Sequence, residues 1–222
     1  MPIAVKICGI DKVGTLKAAA NYGVDYVGFV FFNESPRNLT LEKAMKLSAQ
    51  TPPNICKVAL FVNPTNDEIL NVTNSMKFDL VQLHGEESPS RIQEIKERIK
   101  LPIMKAIKLG DPEDLNCIDN YYGCVDRFLF DAKVPTNIKN PLPGGNSITF
   151  DWNLINLKSI RLPWMLAGGL NLENIEKAVS ITGAQELDVS SGVESEIGVK
   201  DSARIKLLMD KVKEISINTL TR

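Results

Sequence analysis

The sequence contains few of the residues from which metal centres and disulfide frameworks are built. Among its 222 residues are one histidine, His84, and four cysteines, at positions 8, 56, 117 and 124, with no CxxC pair. A protein zinc site needs several Cys or His ligands at short spacing, and a disulfide framework needs cysteines in a paired pattern. We therefore predict reduced thiols and no metal site.

Long hydrophobic runs and excess charge of one sign are also absent. No segment approaches the roughly 20 apolar residues of a membrane span, and the first ten residues, MPIAVKICGI, lack the layout of a signal peptide. The 26 basic and 27 acidic residues give a net charge of −1 and form no block that would attract nucleic acid or an anionic membrane. We predict a cytoplasmic protein with neither kind of partner.

Short apolar runs recur along the chain, and polar segments with helical periodicity separate most of them. Strands that alternate with helices predict a parallel sheet covered by helices, and eight such strands can close into a barrel. We predict an α/β fold, a single (β/α)₈ TIM-barrel domain over residues 1–222. The predicted strands are 3–8, 26–32, 55–62, 79–84, 102–108, 127–132, 164–169 and 185–191, and the clearest helices are 14–23, 40–50, 88–99, 171–180 and 201–215.

The main alternative fold is an open, doubly wound sheet. Such a sheet usually carries a glycine-rich loop after its first strand, whereas KICGI at 6–10 has one glycine. The sequence favours the barrel.

Barrel enzymes place their active sites at the carboxyl ends of the strands, which points to two candidate catalytic residues. Lys6 and Cys8 share one face of the first strand, so an ammonium beside the thiol would favour thiolate; otherwise Cys8 is a small buried hydrophobe. Asp131 follows the apolar run 128–130, whose aromatic rings would withdraw its carboxyl from water and favour an acid catalyst. Its alternative role is a turn or cap aspartate.

Two further side chains and three small-residue loops point to the same mouth. Arg37 could bind a carboxylate and His84 could contact substrate, although a surface arginine and a structural histidine are the plainer alternatives. Barrel enzymes commonly bind phosphate on backbone N–H groups after strands six to eight. The candidate phosphate residues there are Gly144, Gly145, Gly168, Gly169, Ser190, Ser191 and Gly192.

Eight sequence motifs occur in a fixed order along the chain: KICGI (6–10), GVDYVGFVFFNESPR (23–37), ALFVN (59–63), VQLHGEE (81–87), FLFDA (128–132), PGGNSITFDW (143–152), LAGGLNLENI (166–175) and LDVSSGVESEIGVKD (187–201). Together they resemble one family, the phosphoribosylanthranilate isomerases of tryptophan biosynthesis. The resemblance runs from residue 6 to about residue 201, in order and at the expected spacing. The chain departs from the family pattern in two places: Asn146-Ser147 stand where threonine or serine and then glycine are usual, and Asp11 stands where threonine is usual.

The resemblance implies a barrel of the ribulose-phosphate-binding type, which acts as a monomer or homodimer on a small phosphorylated substrate. The implied reaction is an Amadori rearrangement of N-(5′-phosphoribosyl)anthranilate without cofactor or metal. By motif, Cys8 resembles the general base and Asp131 the general acid, while Arg37 resembles the contact to the anthranilate carboxylate. The LAGG glycines and the DVSSG serines and glycine resemble the phosphate site.

Two other classes of function remain open on the sequence alone, another phosphosugar enzyme and a binding protein. A phosphosugar epimerase of the metal-dependent type would need more histidines than one, and an indole-glycerol-phosphate synthase would depend on lysines and a glutamate rather than on Cys8. A barrel that binds a phosphorylated ligand without turnover would tolerate a broken acid–base pair, but Cys8 and Asp131 are both present.

Overall fold

Eight parallel strands form a closed barrel in chain order, as the sequence predicts. The computed structural model describes residues 2–135 and 144–220. Each strand pairs with the next, and the eighth returns to the first, with Lys6 opposite Asp188 in that last pairing. The strands are β1 (Ala4–Cys8), β2 (Tyr26–Phe31), β3 (Cys56–Phe61), β4 (Leu80–Leu83), β5 (Ile103–Leu109), β6 (Arg127–Ala132), β7 (Trp164–Leu166) and β8 (Glu186–Val189).

Helices occupy most of the connections between strands, and the five predicted ones are present with ends shifted by a few residues. The α-helices are α1 (Val13–Tyr22), α2 (Leu41–Gln50), α3 (Asn66–Ser75), α4 (Pro89–Ile99), α5 (Ile175–Thr182) and α6 (Ser202–Leu220). The connections after β5 and β6 contain 3₁₀ helices instead, at Pro112–Tyr121 and Trp152–Leu157. Within the described parts of the chain, no helix is long and apolar enough to cross a membrane.

Helix α3 was not among the predicted helices, although its start carries a clear signal. The Thr65 hydroxyl accepts a hydrogen bond from the Glu68 backbone N–H, and the Glu68 carboxylate accepts one from the Thr65 N–H in return. This capping box satisfies N–H groups that the first helical turn leaves free. Ile69 and Val72 then bury the inner face of the helix.

The core has two parts, because alternate residues of each strand point outward to the helices or inward to the barrel. The outer layer between strands and helices is apolar. The lower barrel interior is also apolar and includes Val58, Leu80, Met104, Leu129 and Met165. Toward the carboxyl ends of the strands, polar side chains join the interior, and this change in polarity locates the candidate site.

A small antiparallel hairpin follows β8 and was not predicted as strands. A 3₁₀ turn over Ser191–Val193 leads into β9 (Glu194–Glu196), which pairs with β10 (Val199–Lys200) before α6 begins. The hairpin brings Glu194 and Lys200, both buried, back toward the mouth of the barrel.

Candidate active site

A cavity with an empty volume of ≈ 670 Å³ opens at the carboxyl ends of the strands. Among the residues that line it, most of the predicted site residues are present. Gly192 lies instead on a neighbouring depression, which Ser191 and Gly169 also line. The predicted residues on the cavity wall are Cys8, Arg37, His84, Asp131, Gly144, Gly145, Gly168, Gly169, Ser190 and Ser191.

Cys8 ends β1 above a buried ion pair. The Lys6 ammonium lies 2.9 Å from an Asp188 carboxylate oxygen, and the Lys6 side chain is 0% exposed. Gly28 on β2 makes room for this group, because a Cβ at that position would stand 3.0 Å from the Cys8 Sγ and 3.1 Å from the Lys6 Nζ. A larger residue would have to displace the thiol or the ammonium.

Lys6 acts on Cys8 in the predicted direction, because its positive charge lowers the pKa of the thiol. Burial raises the pKa of the Cys8 thiol above its ordinary value, and the attraction of Lys6 opposes this rise without overcoming it. Burial is the largest cause of the rise, and the Asp188 carboxylate that pairs with Lys6 adds to it. The net direction favours the thiol form of Cys8.

Asp131 lies on β6 with both carboxyl oxygens engaged. Its Oδ1 accepts a hydrogen bond of 2.8 Å from the Ala132 N–H, and its Oδ2 lies 3.0 Å from the His84 Nε2. The other ring nitrogen of His84, Nδ1, lies 2.7 Å from the Gln82 Nε2. Both ring nitrogens are thus used within the protein, so His84 lines the cavity without a free N–H for the substrate contact predicted for it.

Arg37 is also buried, and two of its guanidinium nitrogens already donate to a carboxylate within the protein. Its Nε and Nη2 donate hydrogen bonds of 2.7 and 2.9 Å to the two carboxylate oxygens of Glu194. The Lys200 ammonium and the Gly198 N–H also donate to that carboxylate. Burial would raise the pKa of Glu194, but the hydrogen bond from Arg37 and the charge of Lys200 outweigh it and hold that pKa at about 2.

The pairing with Glu194 leaves the Nη1 nitrogen of Arg37 for a ligand. A Cβ on Gly145 would stand 2.6 Å from the Arg37 Nη1, so Nη1 lies against the loop after β6. The carboxylate of Glu194 occupies Nε and Nη2, so Nη1 is the nitrogen that remains for the carboxylate contact predicted for Arg37. Sequence reasoning missed Glu194 and Lys200; their only signal was the VESEIGVK segment after the predicted serine loop.

The predicted phosphate residues fall into two groups in space. A Cβ on Gly144 would stand 2.8 Å from the His84 Nε2 and 3.0 Å from the Asp131 Oδ2, which places Gly144 beside the candidate acid. Gly169 packs instead on the backbone of Ile148, where a Cβ would stand 2.7 Å from the carbonyl oxygen. Gly169 also lines the cavity with Gly168, Ser190 and Ser191.

Ser147 lies at one of the two places where the chain departs from the family pattern. Its φ is +58°, in the left-handed region that favours glycine, where the resembling family usually has a glycine. Ser147 therefore adopts a backbone conformation that glycine takes at lower cost. The other departure, Asp11, has a buried carboxylate oxygen without a partner among the described residues.

No group of three or more His, Cys, Asp or Glu side chains suited to a metal ion occurs in residues 2–135 and 144–220. A buried thiol, carboxyl group and guanidinium instead line one cavity at the carboxyl ends of the barrel strands. This arrangement defines the class of the protein as a (β/α)₈-barrel enzyme, with groups suited to proton transfer.

The chain belongs to the N-(5′-phosphoribosyl)anthranilate isomerase family, whose model matches residues 5–211. It is 47% identical over 206 residues to the N-(5′-phosphoribosyl)anthranilate isomerase of Paracoccus denitrificans, covering 93% of this chain and 95% of the relative. It is 46% identical to that of Cereibacter sphaeroides over 95% of this chain and 99% of the relative. Family membership makes the chain an isomerase.

Solved structures give the same result. The phosphoribosyl anthranilate isomerase of Thermotoga maritima superposes with a TM-score of 0.84 at 34% identity, over 96% of this chain and 99% of the other. A phosphoribosyl anthranilate isomerase in complex with reduced 1-(o-carboxyphenylamino)-1-deoxyribulose 5-phosphate superposes with a TM-score of 0.81 at 32% identity, over the same shares of the two chains.

Proposed function

We propose that this chain converts N-(5′-phosphoribosyl)anthranilate to 1-(2-carboxyphenylamino)-1-deoxyribulose 5-phosphate, an Amadori rearrangement in tryptophan biosynthesis. The observation that carries the proposal is that Cys8 of β1 and Asp131 of β6 line one buried cavity with Arg37. An aldose-to-ketose conversion needs one group to give a proton and another to remove one from the same substrate. The names of the relatives and the ligand of one solved neighbour support this choice.

Asp131 is the proposed general acid and acts first. It gives a proton to the furanose ring oxygen, the C1′–O bond breaks, and the anilino nitrogen lone pair forms a C=N bond to C1′. The resulting iminium withdraws electrons and acidifies the C2′–H. No external electron sink is needed, because the substrate nitrogen serves as one, and we therefore propose that the reaction uses no cofactor.

Cys8 is the proposed general base for the second step. The thiol first loses its own proton to solvent, and the thiolate sulfur then takes the C2′ proton, while the electrons of that C–H bond move toward the nitrogen to give an enolamine. The aminoketose forms when a proton adds at C1′ and the C2′ hydroxyl proton is lost. An ordinary thiol is only about 3% ionised at pH 7, and the raised pKa of Cys8 lowers this fraction further. The positive iminium beside the sulfur would stabilise the thiolate as it forms.

Arg37 and the loops after β7 and β8 would hold the two anionic ends of the substrate. The Nη1 edge of Arg37 would bind the anthranilate carboxylate by one hydrogen bond, because Glu194 occupies the other edge. The backbone of Gly168, Gly169, Ser190, Ser191 and Gly192 would bind the phosphate. Gly144 and Gly145 lie beside Asp131 and Arg37, so they would cover the reacting sugar rather than the phosphate.

The wider context of the protein is part of the same proposal. Residues 1–222 would act as one catalytic domain on a small phosphorylated metabolite in the cytoplasm, with neither nucleic acid nor membrane as a partner. The functional unit would be a monomer or a homodimer; one solved neighbour is described as a monomeric form of the dimeric Thermotoga maritima protein.

The test is the loss of anthranilate-type fluorescence from freshly generated phosphoribosylanthranilate. The wild type should turn over, whereas Cys8→Ala and Asp131→Ala should lose several powers of ten in kcat, since each removes a proton-transfer group. The matched control variants are Cys117→Ser, which changes a cysteine outside the cavity lining, and Asp210→Asn, which changes an exposed aspartate on α6. A folded wild type without turnover would refute the proposal and favour ligand binding alone.

A further inference from the structure

A chain of three buried side chains runs through the barrel interior to Asp131. The Gln82 Nε2 lies 2.7 Å from the His84 Nδ1, and the His84 Nε2 lies 3.0 Å from the Asp131 Oδ2. Gln82 is 0% exposed, and His84 and Asp131 are 5% and 6% exposed. Because the three side chains are buried and form a continuous row of hydrogen bonds, the proton position on each depends on its neighbour.

The Gln82 amide faces His84 through its nitrogen, and this orientation assigns the position of the proton on a neutral His84 ring. An amide nitrogen can only donate, so the His84 Nδ1 that faces it must accept and bears no hydrogen. A neutral imidazole then carries its hydrogen on Nε2, the nitrogen that faces Asp131. In this tautomer His84 donates a hydrogen bond to the carboxyl group of the acid.

Glutamine at position 82 lowers the stability of the fold, which indicates that its amide is needed for the contact with His84. Its Oε1 is buried without a hydrogen-bond partner among the described residues, and a buried unsatisfied polar atom lowers stability by about 1–3 kcal/mol. A methionine would fill the same space without that cost. Packing alone therefore does not account for glutamine at this position, whereas its contact with His84 does.

We propose that Gln82 is a positioning residue that fixes the Nε2–H tautomer of His84, so that His84 donates a hydrogen bond to Asp131 as Asp131 gives up its proton. The inference rests on the proposed role of Asp131 as general acid. When the proton moves to the ring oxygen, Asp131 becomes a carboxylate, which accepts the His84 hydrogen bond more strongly than the neutral acid does. The gain arises in the transition state and therefore appears in kcat.

The tautomer can be observed directly because His84 is the only histidine in the sequence. Protein labelled with ¹⁵N-histidine and purified without a histidine tag gives ring-nitrogen signals that belong to this one residue. We expect one protonated nitrogen, Nε2, and one nitrogen with a lone pair, Nδ1. A protonated Nδ1 beside an unprotonated Nε2 in the wild type would overturn the proposal whatever the variants show.

The variant that tests the function is Gln82→Met. We expect the His84 signals to show a mixture of tautomers, kcat to fall about tenfold, and KM to stay within about twofold. A tenfold loss corresponds to about 1.4 kcal/mol. The unfolding temperature should stay the same or rise, because the unsatisfied oxygen is gone. A lower unfolding temperature with an unchanged kcat would show a purely structural role and overturn the proposal.

Measuring the effect of Gln82→Met in a His84→Gln variant separates the effect on the tautomer from a general disturbance of the cavity. In His84→Gln the side-chain amide can still donate to Asp131, but it has no tautomers for Gln82 to select. Adding Gln82→Met should therefore cost about tenfold in kcat in the wild-type background and less than about twofold in the His84→Gln background. Equal losses in both would overturn the proposal. A wild type without isomerase activity would instead refute the proposed function, which keeps the two failures distinct.

Discussion

Replacing Lys6 by methionine tests how the interior ion pair supports Cys8. Lys6 and Asp188 are buried 2.9 Å apart, and removal of Lys6 leaves the Asp188 carboxylate without its counter-charge. Breaking a buried pair in this way typically destabilises a protein by about 3–5 kcal/mol, which for a chain of this size lowers Tm by roughly 6–20 °C. Lys6→Met with Asp188→Asn removes both charges, so the double variant should recover most of this loss.

The same two variants should shift the Cys8 pKa in a fixed order. Burial raises this pKa, Lys6 lowers it, and Asp188 raises it by less than Lys6 lowers it. The pKa should therefore be lowest in the wild type, higher in Lys6→Met with Asp188→Asn, and highest in Lys6→Met. Each unit of increase reduces the thiolate fraction near pH 7 about tenfold, and kcat should follow if Cys8 is the base.

The assay combines a Cys8 pKa from NMR of ¹³Cβ-labelled cysteine with thermal unfolding and steady-state kinetics on the same preparations. Cys117→Ser assigns one of the other cysteine signals and should leave all three measurements unchanged. An unaltered Cys8 pKa in folded Lys6→Met, or a double variant less stable than the single one, would refute this electrostatic reasoning.

Three further changes test the geometry around the cavity. Gly28→Ala should cost about 1–3 kcal/mol and reduce kcat, because the new Cβ would stand 3.0 Å from the Cys8 Sγ; an active variant of wild-type Tm would contradict this. Ser147→Gly should add about 1 kcal/mol by relieving the left-handed φ of +58°, and urea unfolding would measure it. The pKa of Glu194 is lowered from 4.5 to about 2, so its pairing with Arg37 contributes stability that is present above pH 4.5 and lost as pH falls toward 2. In Glu194→Gln the free energy of unfolding should therefore fall by about 3 kcal/mol less than in the wild type over this pH range. Equal losses of stability in acid for the two proteins would refute this prediction.

The strand pattern and the motif residues were open to prediction from the sequence because both depend on short-range information. A buried parallel strand is a short apolar run wherever it occurs, and the polar residue that ends it, such as Cys8 or Asp131, must lie at the mouth of the barrel. Helix α3 was missed although its capping box is local, so better attention to Thr65 and Glu68 would have found it.

The pairing of charges was decided by the tertiary structure. Arg37 meets Glu194 across 157 residues, and Lys6 meets Asp188 across 182, so no local pattern could reveal either partner. These contacts change what each group can do: Asp188 raises the pKa of Cys8 against the effect of Lys6, and Glu194 occupies Nε and Nη2 of Arg37.

The barrel, the family and the chemical groups that reach the cavity could therefore be predicted from the sequence, because strand periodicity and the positions of strand ends are local properties. The role of each group there could not, because protonation, hydrogen-bond direction and free donor atoms depend on neighbours that closure of the barrel brings together. His84 shows the difference: the sequence places it at the mouth, and the fold places it between Gln82 and Asp131.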